Sequence, residues 1–559
     1  MKKYIVLVLC CVLAQVSFAQ SWVKKAQKAV FSVITYGADG KILNTGNGFF
    51  VSPDGVGVSD YDLFKGADHA VVIDDSGKQM NVTEILGAND VYDLVKFRVN
   101  VDKVEALQPV TTEPSVGATA MLLPYSTEKS RTVASGTITK VSSLGGHKYY
   151  TLSLPVTDKM VSCPVLTSDG QVFGLAQLNM TNKGGVSYAV SVLLATDLDI
   201  SALSLNDATL KNIGIRKALP AKEDQAIAML YLAQSLEPKN YPTLVDRFIQ
   251  QFPRSSEGYY RRAAYNIYKY TDADHLAQIE SDLKSSEEYA TDKASAYSNS
   301  AIVIYDYASR GLKPGYKDWT MGKALDLMNK AISIKPQPQY YQEAGDINFN
   351  MKKYKEAYDA YTHVNGTSTA TAFTYYYAAK AAQAINKDTA TIVALLDSAI
   401  SKYMPPYPEI VSPMLWDRGA IYFQQQKYDK ALSDFDAYEM SVKTTPAPLF
   451  YYYREQALYH TNQFARALAD INKAVELAPN DLDYLTEQGV VYLRVAKYAD
   501  AIRSFSSVVK KDPKSATTYR MLGFCQIENG QKEIGIENLK KAIELGDKGA
   551  QVVLDKYGK

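Results

Sequence analysis

Disulfide bonds cannot organise this chain. Four cysteines occur in 559 residues, and two of them, Cys10 and Cys11, fall in the first apolar stretch. The other two, Cys163 and Cys525, are far apart and in different expected domains, so both read as buried free thiols. A bias of charge is missing as well. Lys and Arg number 61 against 60 Asp and Glu, a formal net charge of +1. That balance offers no long-range field for nucleic acid or an anionic membrane. Past the N-terminus there is no long hydrophobic run, so no transmembrane segment is expected. Tryptophan is scarce, 3 residues beside 17 phenylalanines, whereas tyrosine reaches 42. An amphipathic ring suits either helix packing with a wet hydroxyl or an exposed recognition surface, and composition does not choose between them. The length excludes a single core.

What is present starts with Lys2 and Lys3, an apolar run over 4–14, and Ser17-Phe18-Ala19. Charged start, short apolar core and small-x-small end make a secretory signal peptide, residues 1–19, cut after Ala19. Leu9 precedes Cys10 where a lipid-attachment signal carries a small residue, which disfavours a lipid anchor. The expected destination is the periplasm, with association to an outer membrane through partners.

Residues 20–205 read as short strands divided by turn signals, with no sustained helical period. The clearest strands are 30–36, 48–52, 70–74, 94–99, 118–123 and 172–178. Turns are expected at Ala38-Asp39-Gly40, Pro53-Asp54-Gly55, Ser76-Gly77 and Asp169-Gly170. Many short strands with glycine turns predict a barrel or paired barrels.

Within this region 46–62 reads GNGFFVSPDGVGVSDYD. It resembles the first barrel of a trypsin-like serine protease of the HtrA type, where G-S-G-F, a strand, a P-D-G turn and a second strand lead to T-N-x-H. Gly48, Phe49, Phe50, Val51, Pro53, Asp54, Gly55 and Tyr61 fit, and the general-base histidine is replaced by Asp62. A carboxylate cannot accept a serine proton near neutral pH and return it as imidazole does. Asp93-Leu94-Val95-Lys96-Phe97 resembles the segment that carries the triad aspartate, and Ala134-Ser135-Gly136-Thr137-Ile138 the start of the second barrel. The G-N-S-G-G-P-L-V nucleophile segment corresponds, by its proline and the Asp169-Gly170 turn, to Lys159 through Val165. Val161 then stands at the nucleophile, Lys159 at the glycine before it, and Ser162 and Cys163 at the two glycines after it. The resemblance therefore implies degenerate triad positions at Asp62, Asp93 and Val161, and an oxyanion loop deprived of its glycines. Ser162 or Cys163 as a substitute nucleophile, with His69 or His147 in loop-like settings as base, is the weaker alternative. Asp62 beside Asp93 is too small a set of ligands to predict a cation site.

After a linker at 206–222, residues 223–559 read as helical, with a period of 34. Ala467, Ala501 and Gly535 share it, as do Ile471, Phe505 and Leu539, then Ala474, Val508 and Ala542. Pro479 and Pro513, and Gly489 and Gly523, repeat likewise. Small residues recur where two helices approach closely, and large ones where they fill the next layer. The pattern resembles the tetratricopeptide repeat, most fully over 482–515, with an earlier unit at Gly419, Tyr422, Ala431 and Phe435 and another at Gly345, Ala357 and Tyr361. Eight to nine hairpins are expected, with longer helices in the irregular stretch 366–400 and a capping helix at 549–557. The fold class is thus an all-β double barrel followed by an all-α superhelix.

The family's groove positions correspond here to Trp416, Ala420, Phe423, Tyr452, Gln456, Tyr459, Val490, Arg494 and Phe524. Interhelix packing is an equally good account of the aromatics among them. The lysine and asparagine pattern that clamps a C-terminal carboxylate in chaperone-binding relatives is absent. These features lead to the expectation of a secreted, noncatalytic scaffold that binds proteins or peptides of the cell envelope, without cofactor or metal. An atypical protease with a substrate-presenting arm, and a glycan-binding envelope protein, are the alternatives.

Overall fold

A computed structural model of the chain describes residues 22–127, 133–178 and 185–557. The expected signal peptide, with Cys10 and Cys11, lies outside the described residues. Twelve strands form two closed antiparallel barrels. The first comprises β1 (Val30–Tyr36), β2 (Ile42–Phe50), β3 (Val56–Ser59), β4 (His69–Ile73), β5 (Gln79–Asn89) and β6 (Leu94–Val99), in the order β1-β2-β3-β6-β5-β4. The second comprises β7 (Thr119–Leu122), β8 (Ala134–Leu144), β9 (His147–Leu152), β10 (Pro164–Leu166), β11 (Val172–Gln177) and β12 (Ser187–Ser191), in the order β10-β11-β12-β9-β8-β7.

Alternation builds these walls. Along β1, Phe31, Val33 and Thr35 are all fully buried, and Phe31 meets Phe50 and Phe97 across the first barrel. Two of the strands read from the sequence, β1 and β6, have the expected bounds; others shift by a few residues. β5 is not legible in the sequence because its register breaks between Val82 and Glu84 and again between Ile85 and Gly87, which destroys a period of two. The four expected turns are present, with Gly40, Gly55, Gly77 and Gly170 all at positive φ. A third apolar cluster, including Phe49, Val58, Leu94, Leu166, Leu175 and Val190, joins the barrels face to face.

Two compact units divide the described chain. One is built on the barrels and extends to residue 269 and through 278–289; the other holds 270–277 and the chain from 290. The stretch 206–222, expected as a linker, is not a free tether. Its Ile213 and Ile215 are buried, Gly214 N–H donates to the Ala67 carbonyl at 2.7 Å, and Lys217 pairs in parallel with Ile85 of β5. An unpaired strand edge beside exposed isoleucines would be costly, and this strap covers both. Helices Glu223–Leu236 and Tyr241–Gln251 then add Met229, Leu230, Val245 and Phe248 to the first barrel's apolar cluster.

From Glu223 to Tyr557 the described chain forms nineteen α-helices, nine successive pairs and a last single helix at Lys548–Tyr557. The stretch 366–400 carries ordinary helices of 13 and 12 residues, Ala372–Ala384 and Thr389–Ile400. The long ones, 17 residues each, are Ala273–Tyr289 and Lys293–Ser309. In the second unit the period of 34 is a packing rule. A Cβ on Gly489 would stand 2.4 Å from Phe505 Cε1, one on Gly419 2.8 Å from Phe435 Cε1, and one on Gly345 2.8 Å from Tyr361 Cε1. Glycine on the first helix thus receives the ring that the second helix presents sixteen residues later.

The six hairpins between Pro338 and Glu544 each turn at a residue in the left-handed region: Lys352, Asn386, Gln426, Asn462, Ala496 and Gly530. The next amide reaches back to close the turn, as Lys497 N–H does to the Tyr492 carbonyl at 2.9 Å. Only one of the six is glycine, and side-chain-bearing residues are strained there. Ala496→Gly, at φ 57°, is expected to stabilise the repeats by about 0.5–1 kcal/mol, read as a higher urea midpoint at unchanged m-value.

Candidate functional site

The first barrel brings together Asp62 and Asp93, the two carboxylates expected at triad positions. Asp62 lies exposed on the short helix Tyr61–Phe64 that follows β3, and its backbone N–H donates to Asp93 Oδ1 at 2.8 Å. Asp93, between β5 and β6, holds φ at 51° to make this contact. Burial raises the Asp93 carboxyl above its usual range, the Asp62 amide opposes this, and the Asp62 charge adds to it. A third carboxylate, missed in the sequence, stands behind them. Asp60 is 4% exposed and its Oδ1 has no hydrogen-bond partner. Burial first, then the charges of Asp93 and Asp62, push it well up, against the Ser162 hydroxyl. Burial and the two neighbouring carboxylates therefore favour the protonated form of Asp60.

From the second barrel, Val161 follows the short 3-10 turn Asp158–Met160 and leads into β10. Asn47 of β2 ties this loop to the first barrel, its Nδ2 donating to the carbonyls of Lys159 at 3.1 Å and Val161 at 2.9 Å. Ser59 Oγ holds Asn47 in turn, donating to its carbonyl at 2.6 Å. Ser162 takes φ 64°, its amide donates to the Ala176 carbonyl at 2.9 Å, and its hydroxyl is wholly buried beside the Asp60 carboxyl. Cys163 is also wholly buried, and burial pushes its thiol up to about 12, helped by the Asp60 charge.

The two histidines weighed as bases open strands β4 and β9 and do not lie in loops. His69 stacks on Tyr36 at 4.6 Å, and His147 meets Tyr92 edge-on at 5.6 Å with Nε2 3.8 Å from Asp197. Alternation hides such positions, because the first residue of a strand looks like the turn before it. Among the described residues no group of three or more His, Cys, Asp or Glu could hold a metal ion. No described helix is long and apolar enough to cross a membrane.

In the second unit the groove candidates lie on first helices and serve packing as well. Trp416 touches Phe435, Tyr438, Phe450 and Tyr453, and Phe423 also meets Tyr453. Tyr452 lies against Tyr453 and Tyr484. Tyr459 and Arg494 share the Phe464 ring, while Phe524 stands apart on Tyr557. Ala420 and Val490 are half-buried. Gln456 Nε2 donates to Glu455 Oε2 at 2.8 Å. Glu455 itself escapes sequence analysis although a signal exists. It occupies the register position held by Gly419, Gly489 and Gly523, and Ile471 replaces the facing phenylalanine. The smaller partner leaves room for a carboxyl that is wholly buried, with Oε1 unpartnered and its pKa pushed up to about 9 by burial and by Glu487.

Two family models fit these units: the trypsin-like peptidase domain over 46–175 and the tetratricopeptide repeat over 417–481. The chain joins a trypsin-like peptidase domain to tetratricopeptide repeats. Among curated proteins it is similar to Hsp70-Hsp90 organizing protein 2 of Arabidopsis thaliana, 27% identical over 108 residues, 19% of each chain. It is also similar to a TPR repeat-containing protein of Methanocaldococcus jannaschii, 21% identical over 223 residues, 40% of this chain and 34% of the relative. The chain thus spans well under half of either relative. A serine endoprotease from Yersinia pestis aligns at 16% identity and a TM-score of 0.29, over 34% of this chain and 66% of the other.

Proposed function

We propose that the protein is a noncatalytic scaffold of the cell envelope, in which the tetratricopeptide repeats and a pseudoprotease domain each hold protein partners. The observation that carries this reading is the state of the nucleophile loop. The family resemblance puts Val161 where a serine is expected, and the neighbouring Ser162 oxygen is buried beside Asp60, a carboxyl whose charged form burial disfavours, and not beside an imidazole. Asp62 at the general-base position and Asp93 beside it supply two carboxylates and no imidazole. Tetratricopeptide repeats support protein partners, and relatives named as organisers of Hsp70 and Hsp90 fit such a role. The envelope location rests on the signal-peptide pattern of residues 1–19.

The test is affinity purification of the tagged full-length protein from gently solubilised envelopes, followed by mass spectrometry. A stoichiometric set of outer-membrane proteins is expected. In parallel, no fluorophosphonate labelling and no casein digestion are expected. Labelling that disappears in Ser162→Ala would establish an enzyme instead, and a preparation without partners would remove the scaffold reading.

A further inference from the structure

The barrel-containing unit holds a cavity of about 380 Å³ that neither the peptidase-like site nor the repeat face uses. The strap after the second barrel forms one side, and helices Glu223–Leu236 and Tyr241–Gln251 the other. Its walls are apolar, with Ile200, Leu205, Leu210, Ile215, Met229 and Leu244. Four cationic residues line it, Lys211, Arg216, Lys217 and Arg247, with Glu237 as the lining carboxylate and Glu84 paired to Arg247 from outside the lining. The volume falls within the roughly 300–1,000 Å³ of ligand pockets, and apolar walls with a few convergent polar groups are their usual make-up.

The positive charge is under-compensated. Burial lowers Lys217, although Glu237 favours its charge, and its ammonium donates to the Ile213 carbonyl. Burial and the like charge of Arg216 lower Arg247, which donates to the Lys217 carbonyl at 2.9 Å and to Glu84 at 3.4 Å. Lys211, which is exposed, donates to the neutral Asn206 oxygen at 3.2 Å. The Arg216 guanidinium has no ion-pair partner among the described residues. Lys217 and Arg247 are partly desolvated beside the apolar hollow, while Lys211 and Arg216 are exposed, so cations outnumber carboxylates along its lining.

We propose that this cavity binds an apolar chain ending in a carboxylate, with the chain against Leu205, Leu210 and Leu244 and the head at Arg216 and Lys217. A guanidinium fork matches a carboxylate edge. A fatty acid and the C-terminus of a peptide with an apolar last residue carry the same chemistry. The site is independent of the scaffold reading, because none of its residues lies in the repeats' candidate face or the nucleophile loop.

Calorimetric titration of the full chain tests this with dodecanoate, and with a short peptide ending in leucine. At least one of the two is expected to saturate one site. Its uncharged counterpart, dodecanol or the amidated peptide, is expected to bind about tenfold more weakly or worse. Arg216→Glu should cause a similar loss, while Lys540→Glu, on an exposed face of a repeat helix, leaves binding unchanged. Whichever carboxylate binds identifies the source. Failure of both to saturate, equal binding of an uncharged counterpart, or indifference to Arg216→Glu in a variant with native circular dichroism would each overturn the proposal. Should Arg216→Glu not fold, the comparison of charged and uncharged ligands on the unaltered protein still decides.

Discussion

Arg454→Met is expected to destabilise the repeats by about 3–5 kcal/mol, because it leaves a carboxylate buried and alone. Arg454 lies on helix Pro448–His460, and its Nε and Nη2 grip Asp470 on the second helix of the hairpin at 2.7 and 2.9 Å. Nη1 also reaches Glu439 at 2.5 Å and Asp436 at 3.1 Å in the hairpin before, so one side chain joins two repeats. Both partners of the main pair are deeply buried, Arg454 at 6% and Asp470 at 6% exposure. Asp436 retains Arg466, at 2.7 and 2.8 Å, but Asp470 has no second cation at that range. Burial already raises the Asp470 carboxyl and Arg454 holds it down. In the variant Asp470 therefore gains a proton readily, and the loss shrinks as pH falls. Adding Asp470→Asn should recover much of the stability, since the uncompensated charge goes with it. Urea unfolding, with hydrogen exchange over 448–477, measures both steps. A cost under about 1 kcal/mol would class the pair with surface ion pairs.

Glu455→Gln is expected to flatten the pH dependence of stability and to strengthen the repeats most at alkaline pH. Glu455 has its pKa pushed from the ordinary 4.5 to about 9, burial being the chief cause and Glu487 the next. A raised acid binds more protons folded than unfolded, so stability falls as pH rises between those limits. A tenfold change in proton affinity corresponds to about 1.4 kcal/mol, which makes the native penalty at pH 9 several kcal/mol. Glutamine has the same shape and no charge to bury, so the variant's unfolding midpoint should fall less between pH 5 and 9 than that of the unaltered protein. A residual slope of the same sign belongs to Glu487, which burial also raises, opposed by Gln456 and His460, and to Glu343, which burial pushes up to about 7. Equal slopes in the variant and the unaltered protein would show that Glu455 reaches water in the native state.

Periodicity carries most of the architecture in the sequence. Spacing alone assigns Ala467, Ala501, Ile471, Phe505 and Leu539 to one packing layer, and all are wholly buried. Strands and turns of the first barrel are legible wherever alternation runs unbroken between glycine turns, and are lost where β5 bulges. Side-chain pattern reports the local period of a helix or strand, and that period survives translation into a fold.

The sites obey a different logic. Asp60 reads as one polar residue at the end of a strand, and only the closing of two barrels sets it near Asp93 and Ser162 and removes it from water. Glu455 looks like any helical glutamate until Ile471 faces it across a hairpin. The expected linker becomes one wall of a cationic cavity because Lys217 pairs with β5 and a helix thirty residues later brings Arg247 beside it. By itself the sequence determined the element types, their order and the repeat register. The tertiary structure decided which polar groups lost their water and which charges were left to face one another, because desolvation and Coulomb energy depend on distances that only long-range contacts set.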